Sequence, residues 1–140
     1  MNEIVFLDSN GWIALLNSRD QLHAAAVDAW HALGKQAARI VVSDWIVAET
    51  GNGLSRTAAR IRFPEAVSRI ESSHHAQLLE INGSRRSAAL ALYADRADKS
   101  WGLTDCSSFV VMRELSIAAA FTSDRHFEQA GFRCLLTATT

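Results

Sequence analysis

The sequence predicts an α/β fold, a parallel β-sheet with helices on both faces. Three observations carry this. Short apolar runs of β type alternate along the chain with segments whose apolar residues recur every three or four positions. At 140 residues, 49% of them hydrophobic and 21% charged, the chain has the size and balance of one ordinary domain with a buried core. It contains no internal repeat, low-complexity tract or Gly/Ser linker, so residues 1–140 are expected to form one domain.

The first run, Ile4-Val5-Phe6-Leu7, ends at Asp8. A helical segment follows from about Gly11 to Asn17. After a polar break, Asp20 is placed to cap a longer helix through His23, Val27, Trp30 and Leu33, with Gly34 as its stop. Ile40-Val41-Val42 is the second strand. Ser43 or Asp44 then caps a helix carrying Trp45, Ile46, Glu49 and Leu54. Pro64, the only proline, suits the first position of another helix, where it has no amide hydrogen to lose. Leu78 to Ile81 is a third strand and Ser84 to Ala97 an alanine-rich helix. Thr104 reads as the N-cap of a helix through Asp105, Phe109, Val110 and Met112. Ile117 to Phe121 is a fourth strand that runs into Thr122-Ser123-Asp124. A short helix near His126 to Ala130 stops at Gly131, and Phe132 to Leu136 is the last strand before a Thr/Ala tail.

In open α/β sheets, ligands bind outside the carboxyl ends of the strands. Asp8 and Asp124 both follow apolar strands and are expected to face that crevice. Taken singly, each acid has a plainer use. Asp8 and Asp124 serve equally as helix caps, Asp105 as a first-turn carboxylate favoured by the helix dipole, and Glu49 as a helix-surface residue. Glu49 has apolar neighbours, however, and a partly buried glutamate needs a partner or a metal. Asp98 reads as a loop acid.

A dispersed set of four carboxylates suits magnesium or manganese, hard ions that take oxygen ligands. Packed carboxylates raise one another's pKa, and a divalent cation removes that penalty. The same ion can activate water and polarise a phosphoryl oxygen, so phosphodiester hydrolysis needs no nucleophilic side chain. Other chemistries are set aside on spacing. Asp8-Ser9-Asn10 lacks the second aspartate of the phosphatases that use a strand-end aspartate nucleophile. Gly51-Asn52-Gly53 is too short for a phosphate loop. Cys106 and Cys134 lack zinc spacing and read as reduced thiols. The adjacent His74 and His75 cannot share a helix face. His23, His31 and His126 read as surface or capping residues, and Trp12, Trp30, Trp45 and Trp101 as core or interface.

The net charge of −1 and a pI near 6.5 give no global attraction to nucleic acid, so any basic surface must be local. Of the 14 basic residues all but Lys35 and Lys99 are arginine, which suits phosphate and carboxylate alike and which a GC-rich genome also produces. The start of the chain has no basic segment or cleavage site of a signal peptide, and no apolar run approaches the roughly 20 residues of a membrane span. A cytoplasmic protein without membrane contact is expected.

Several blocks together resemble the PIN domain family, in particular its single-domain toxins of the VapC type. They are Phe6-Leu7-Asp8-Ser9-Asn10, the stretch from Ser43 to Thr50, the stretch from Asp98 to Met112, and Phe121-Thr122-Ser123-Asp124-Arg125-His126-Phe127 with Ala130-Gly131-Phe132. They fall in the family's order across essentially the whole chain. The resemblance implies a three-layer α/β/α sandwich with about five parallel strands, and metal-dependent hydrolysis of RNA with magnesium or manganese. It maps the family's four acids onto Asp8, Glu49, Asp105 and Asp124. Asp8 and Asp105 would be the principal metal ligands. Asp124 would ligate the metal or orient the attacking water, and Glu49 would act on that water as ligand or base. Thr104 and Ser123 would support the acids by hydrogen bonds. The resemblance also implies a homodimer and a cognate antitoxin whose peptide covers the site. Arg56, Arg60 and Arg62 either bind RNA phosphates or form a solvated helix face.

The expected activity is therefore that of an endoribonuclease, the toxin of a type II toxin–antitoxin pair, that leaves a 5′ phosphate and a 3′ hydroxyl. The alternatives are a catalytically weak module of the same fold that binds RNA or a protein partner, and a small-molecule phosphatase.

Overall fold

A computed structural model describes residues 2–137; the end of the Thr/Ala tail, residues 138–140, lies outside the described part. Five strands form one sheet: β1 Ile4–Leu7, β2 Arg39–Ser43, β3 Ala76–Leu79, β4 Ala119–Phe121 and β5 Arg133–Cys134. Their order is β3-β2-β1-β4-β5, and every pairing is parallel. The helices are α1 Ser9–Leu16, α2 His23–Lys35, α3 Asp44–Leu54, α4 Phe63–Ser72, α5 Gly83–Asp95, α6 Leu103–Glu114 and α7 Arg125–Gln129. Helix α1 packs on α2 and α3, and α3 on α4; separately, α5 packs on α6, and α6 on α7. This is a three-layer α/β/α sandwich around a five-stranded parallel sheet.

The central strand explains its own sequence. A strand covered on both faces reads as an unbroken apolar run rather than an alternating one. Val5, Phe6 and Leu7 are fully buried, and β1 is hydrogen-bonded on both sides. From β1 the chain winds outward through β2 to β3, then returns to place β4 and β5 on the other side. The winding direction reverses between β1 and β4, which opens a crevice at their carboxyl ends. Below it, Phe109 makes edge-on contacts with Trp101 and Phe127, a desolvated floor under α6 and α7.

One glycine sets how closely two elements approach at that crevice. A Cβ on Gly11 would collide with the Phe121 carbonyl oxygen and ring. Its absence lets the first turn of α1 lie against the end of β4, which brings Asn10 beside Thr122 and Ser123.

Several boundaries differ from expectation for identifiable reasons. Helix α1 starts at Ser9 rather than near Gly11, because Asp8 already has the extended backbone of an N-cap. Asp20 accepts from the Leu22 amide in a turn that precedes α2, so it does not cap that helix directly. Gly34 lies inside α2; the chain reverses instead at Ala37, which takes a left-handed φ of 53° while Ala38 bonds back to the Leu33 carbonyl. Pro64 occupies the second position of α4, one residue later than predicted. Strand β3 sits two residues early because the Ile81 amide is taken by the Asp44 carboxylate, which ends the strand. Asn82 caps α5 through the Arg85 amide. Thr104 is not an N-cap: α6 starts earlier, behind Gly102. A short 3₁₀ helix at Ala58–Arg62 had no counterpart in the sequence pattern. Among the described residues, no helix is long and apolar enough to cross a membrane.

Candidate active site

Asp8 follows β1 and is 3% exposed. Its backbone starts α1, but its side chain makes no capping bond. The carboxylate instead turns into the crevice, where its Oδ2 accepts the Thr122 hydroxyl at 2.8 Å. Burial pushes its pKa up to about 7, against the pull of the Thr122 bond, and the charges of Asp105, Glu49 and Asp124 push in the same direction as burial. The acids that lie far apart in the sequence thus share one electrostatic neighbourhood, centred on Asp8.

Thr122 links two of them. The Asp124 amide donates to the Thr122 oxygen at 3.0 Å, and the Thr122 hydroxyl donates onward to Asp8. Asn10 holds the same loop from the α1 side: its Oδ1 accepts the Ser123 amide at 2.7 Å and the Ser123 hydroxyl at 3.0 Å. Ser123 therefore supports the site through Asn10 rather than by bonding an acid itself.

Asp105 and Asp124 meet across α6 and α7. Asp105 lies in the first turn of α6, and its Oδ2 accepts the Gly102 amide at 3.1 Å. Asp124 caps α7 by accepting the His126 amide at 2.9 Å. Both capping roles hold, and neither uses up its carboxylate. The His126 Nδ1 lies 3.1 Å from Asp105 and 3.3 Å from Asp124, a bridge between them. Desolvation raises the Asp105 pKa, the Gly102 amide opposes this, and the Asp124 charge adds to it. Ligand atoms of Asp105, Asp124 and His126 all lie within 4.8 Å of one another. Glu49 reaches in from the middle of α3, where the Ser9 hydroxyl donates to its Oε1.

The structure thus gathers Asp8, Glu49, Asp105 and Asp124 at one place. Thr104 bonds differently from expectation: its carbonyl accepts the Ser107 and Ser108 hydroxyls. Arg56, Arg60 and Arg62 are exposed and none pairs with the four acids; Arg60 donates to the Ser55 carbonyl and Arg62 to the Leu16 carbonyl. Asp98 pairs with Arg96 on the surface. Ser9, Asn10, Thr122 and His126 were not among the expected site residues. The first three flank the strand-end acids directly, a signal that was present. His126 stands two residues after Asp124, which places it for the bridge once Asp105 is known to be opposite.

The donor set fits a hard divalent cation. It consists of carboxylate oxygens with one imidazole, and Asp8 is a buried acid whose ionisation wants a nearby positive charge.

The family model of the PIN domain matches residues 5–133. A protein of Mycobacterium tuberculosis named 23S rRNA-specific endonuclease VapC20 is 26% identical over 129 residues, which cover 92% of this chain and 95% of that one. The crystal structure of M. tuberculosis VapC20, described as a sarcin–ricin loop cleaving toxin, superposes with a TM-score of 0.80 at 25% identity, over 91% of this chain and 95% of the other. The crystal structures of VapBC2 from Rickettsia felis and FitAcB from Neisseria gonorrhoeae share the fold, with TM-scores of 0.66 and 0.64 at 13% and 17% identity. The first covers 94% of this chain and 96% of its own, the second 93% and 94%.

Proposed function

This chain belongs to the PIN domain family, and from that premise we propose that it is a metal-dependent endoribonuclease, the toxin of a toxin–antitoxin pair. The observation that carries the proposal is the convergence of Asp8, Glu49, Asp105 and Asp124 on the crevice between β1 and β4, with Asp8 buried among their charges. A degenerate binding module has no use for four acids held by this many hydrogen bonds. Asn10, two residues after Asp8, is committed to Ser123, so no second acid stands there for phosphatase chemistry.

Asp8 and Asp105 would hold magnesium or manganese, with Asp124 and His126 beside them. When bound, the cation offsets carboxylate repulsion and supplies Lewis acidity toward water and the phosphoryl oxygens. The protein's own part is orientation and proton transfer. Ser9 fixes one oxygen of Glu49, and the other oxygen accepts the proton of the attacking water. Water adds to phosphorus in line, the P–O3′ bond breaks, the leaving O3′ takes a proton from solvent, and the products are a 5′ phosphate and a 3′ hydroxyl. Thr122 keeps Asp8 aimed and favours its ionised form. His126 holds Asp105 and Asp124 together.

The VapC20 relative acts on 23S rRNA by its name, which makes ribosomal RNA the first substrate to try. A mainly apolar groove of about 460 Å³, with Trp12, Leu15, Leu16, Trp30, Ala66 and Ile70 on its walls and Arg62, Glu65, Arg69 and Ser73 also lining it, is a surface of the kind that a partner's helix covers, and it suits an antitoxin. A homodimer would lengthen the RNA surface, and light scattering on the purified protein tests it. The direct test of the activity is incubation of intact ribosomes and total RNA with manganese, followed by end mapping. Discrete cuts with 5′ phosphates support the proposal; RNA left whole at every metal concentration contradicts it.

A further inference from the structure

Away from the acids, the chain builds a second polar cavity of about 250 Å³ where the ends of α1 and α3 meet the 3₁₀ helix. Arg19, Arg56 and Arg62 line it, together with Asn17, Ser18 and Thr57, and no acidic residue does. Elsewhere Arg69, Arg85, Arg96 and Arg133 each pair with a carboxylate, while Arg39, Arg60, Arg86, Arg113 and Arg125 form no ion pair among the described residues; this cavity differs in bringing three such arginines to one concave surface. The three at this cavity pair with none among the described residues, and all three are exposed. Arg62 is steadied by its bond to the Leu16 carbonyl, and the Arg19 amide bonds to Asn17 Oδ1, which shapes the rim. In a chain of net charge −1, this is a local concentration of positive charge rather than part of a basic surface.

Its position ties it to the site. Asp8 and Asn17 cap the two ends of α1, and nine steps of about 1.5 Å put about 13.5 Å between them. Glu49 lies midway along α3, and Arg56 follows that helix's end. Two packed helices thus lead from the acids to the cavity, over a distance that a single RNA strand covers in a few nucleotides. Guanidinium groups bind phosphate through two parallel hydrogen bonds, and three of them without competing carboxylates make a phosphate seat. Beside the cavity, Ile61 is 85% exposed and offers a ribose or base an apolar surface.

We propose that the Arg19–Arg56–Arg62 cavity binds a backbone phosphate of the RNA that flanks the scissile bond. The proposal rests on the nuclease function argued above and adds the substrate contact that function needs outside the acids. Phosphate contacts of this kind position the strand without reading its sequence.

The test is binding of a labelled mixed-sequence single-stranded RNA in EDTA, across a salt series, to wild type, to the double variant R19Q/R56Q and to Arg86→Gln, an exposed arginine on α5. The double variant should bind about tenfold more weakly at low salt, and its slope of log affinity against log salt should be shallower by about 0.7, the contribution of the one phosphate that is no longer neutralised. The Arg86 variant should match wild type. A wild type that binds and cleaves RNA, with R19Q/R56Q equal to it in affinity and slope, overturns the cavity's role and leaves the nuclease function standing. A wild type that neither binds nor cleaves RNA overturns both. A poly-glutamate peptide is run in parallel: loss of its binding with RNA binding unmoved assigns the cavity to an acidic protein segment and overturns the proposal.

Discussion

The Thr122 hydroxyl donates to the Asp8 carboxylate at 2.8 Å across the boundary between β1 and β4, joining residues 114 positions apart. That bond stabilises the ionised form of a carboxyl whose burial favours the neutral one. Thr122→Val removes it while keeping the shape. A hydrogen bond to a charged group contributes about 1.5–3 kcal/mol, so the acid limb of the pH–rate profile should move up by roughly one unit or more. Thr122→Ser should restore it. The two profiles, measured in manganese, decide the matter; an unmoved acid limb in Thr122→Val would show that this bond does not tune Asp8.

Metal-free stability should carry the signature of Asp8. Its carboxyl titrates near 7 in the folded protein and near 3.8 in the unfolded chain. Between those values the folded state holds the extra proton. The stability linked to it is complete below about 3.8 and is lost as pH rises through 7. Three units correspond to a swing on the order of 4 kcal/mol. Urea unfolding in EDTA should therefore show Asp8→Asn gaining on wild type from pH 4 to pH 7.5, and manganese should close the gap at the upper end. Parallel curves for the two proteins would refute this.

His126 bridges Asp105 and Asp124 through one ring nitrogen. Without it the two carboxylates lose their common anchor. His126→Ala should weaken manganese binding about tenfold, as loss of supporting groups around metal sites commonly does. Calorimetry on the purified variant checks this, and an unchanged affinity would place His126 outside the ligand arrangement.

Gly11 is where α1 meets the backbone of β4. Gly11→Ala pushes a methyl group into the Phe121 carbonyl, and because the obstacle is backbone, the helix must shift. The cost should be about 1–3 kcal/mol, and the shift separates Asn10 from Ser123. A fall in the urea midpoint together with lower activity is expected; a variant as stable and as active as wild type would mean the approach is looser than it looks.

Much of this was readable beforehand because its causes are local. Asp8 and Asp124 close apolar runs, and in a doubly wound sheet such positions face the crevice. A helix start at Ser43 or Asp44 was legible from their side-chain oxygens, and it is the Ser43 hydroxyl that accepts the Ile46 amide. Two of the differences depend on partners far off in the chain, and two on local backbone conformation that residue type does not announce. Strand β3 stops early because Asp44, 37 positions away, takes the Ile81 amide. Thr104 looked like a cap by residue type, yet the extended backbone at Gly102 starts α6 and Asp105 reaches back to it. His126 looked like a surface residue because Asp105, its partner, approaches from another helix. Ala37 reverses the chain in a conformation usually left to glycine, and residue type alone pointed to Gly34.

The central claim is that four acids, brought together from four elements, form one metal-dependent nuclease site. The most direct measurement is cleavage of RNA in manganese by wild type, Asp8→Asn and Asp105→Asn, with folding of each checked by circular dichroism. The account predicts discrete cuts by the wild type, abolished by EDTA, and a fall of about a hundredfold or more in rate in either variant with the fold intact. Full activity in both folded variants would contradict it.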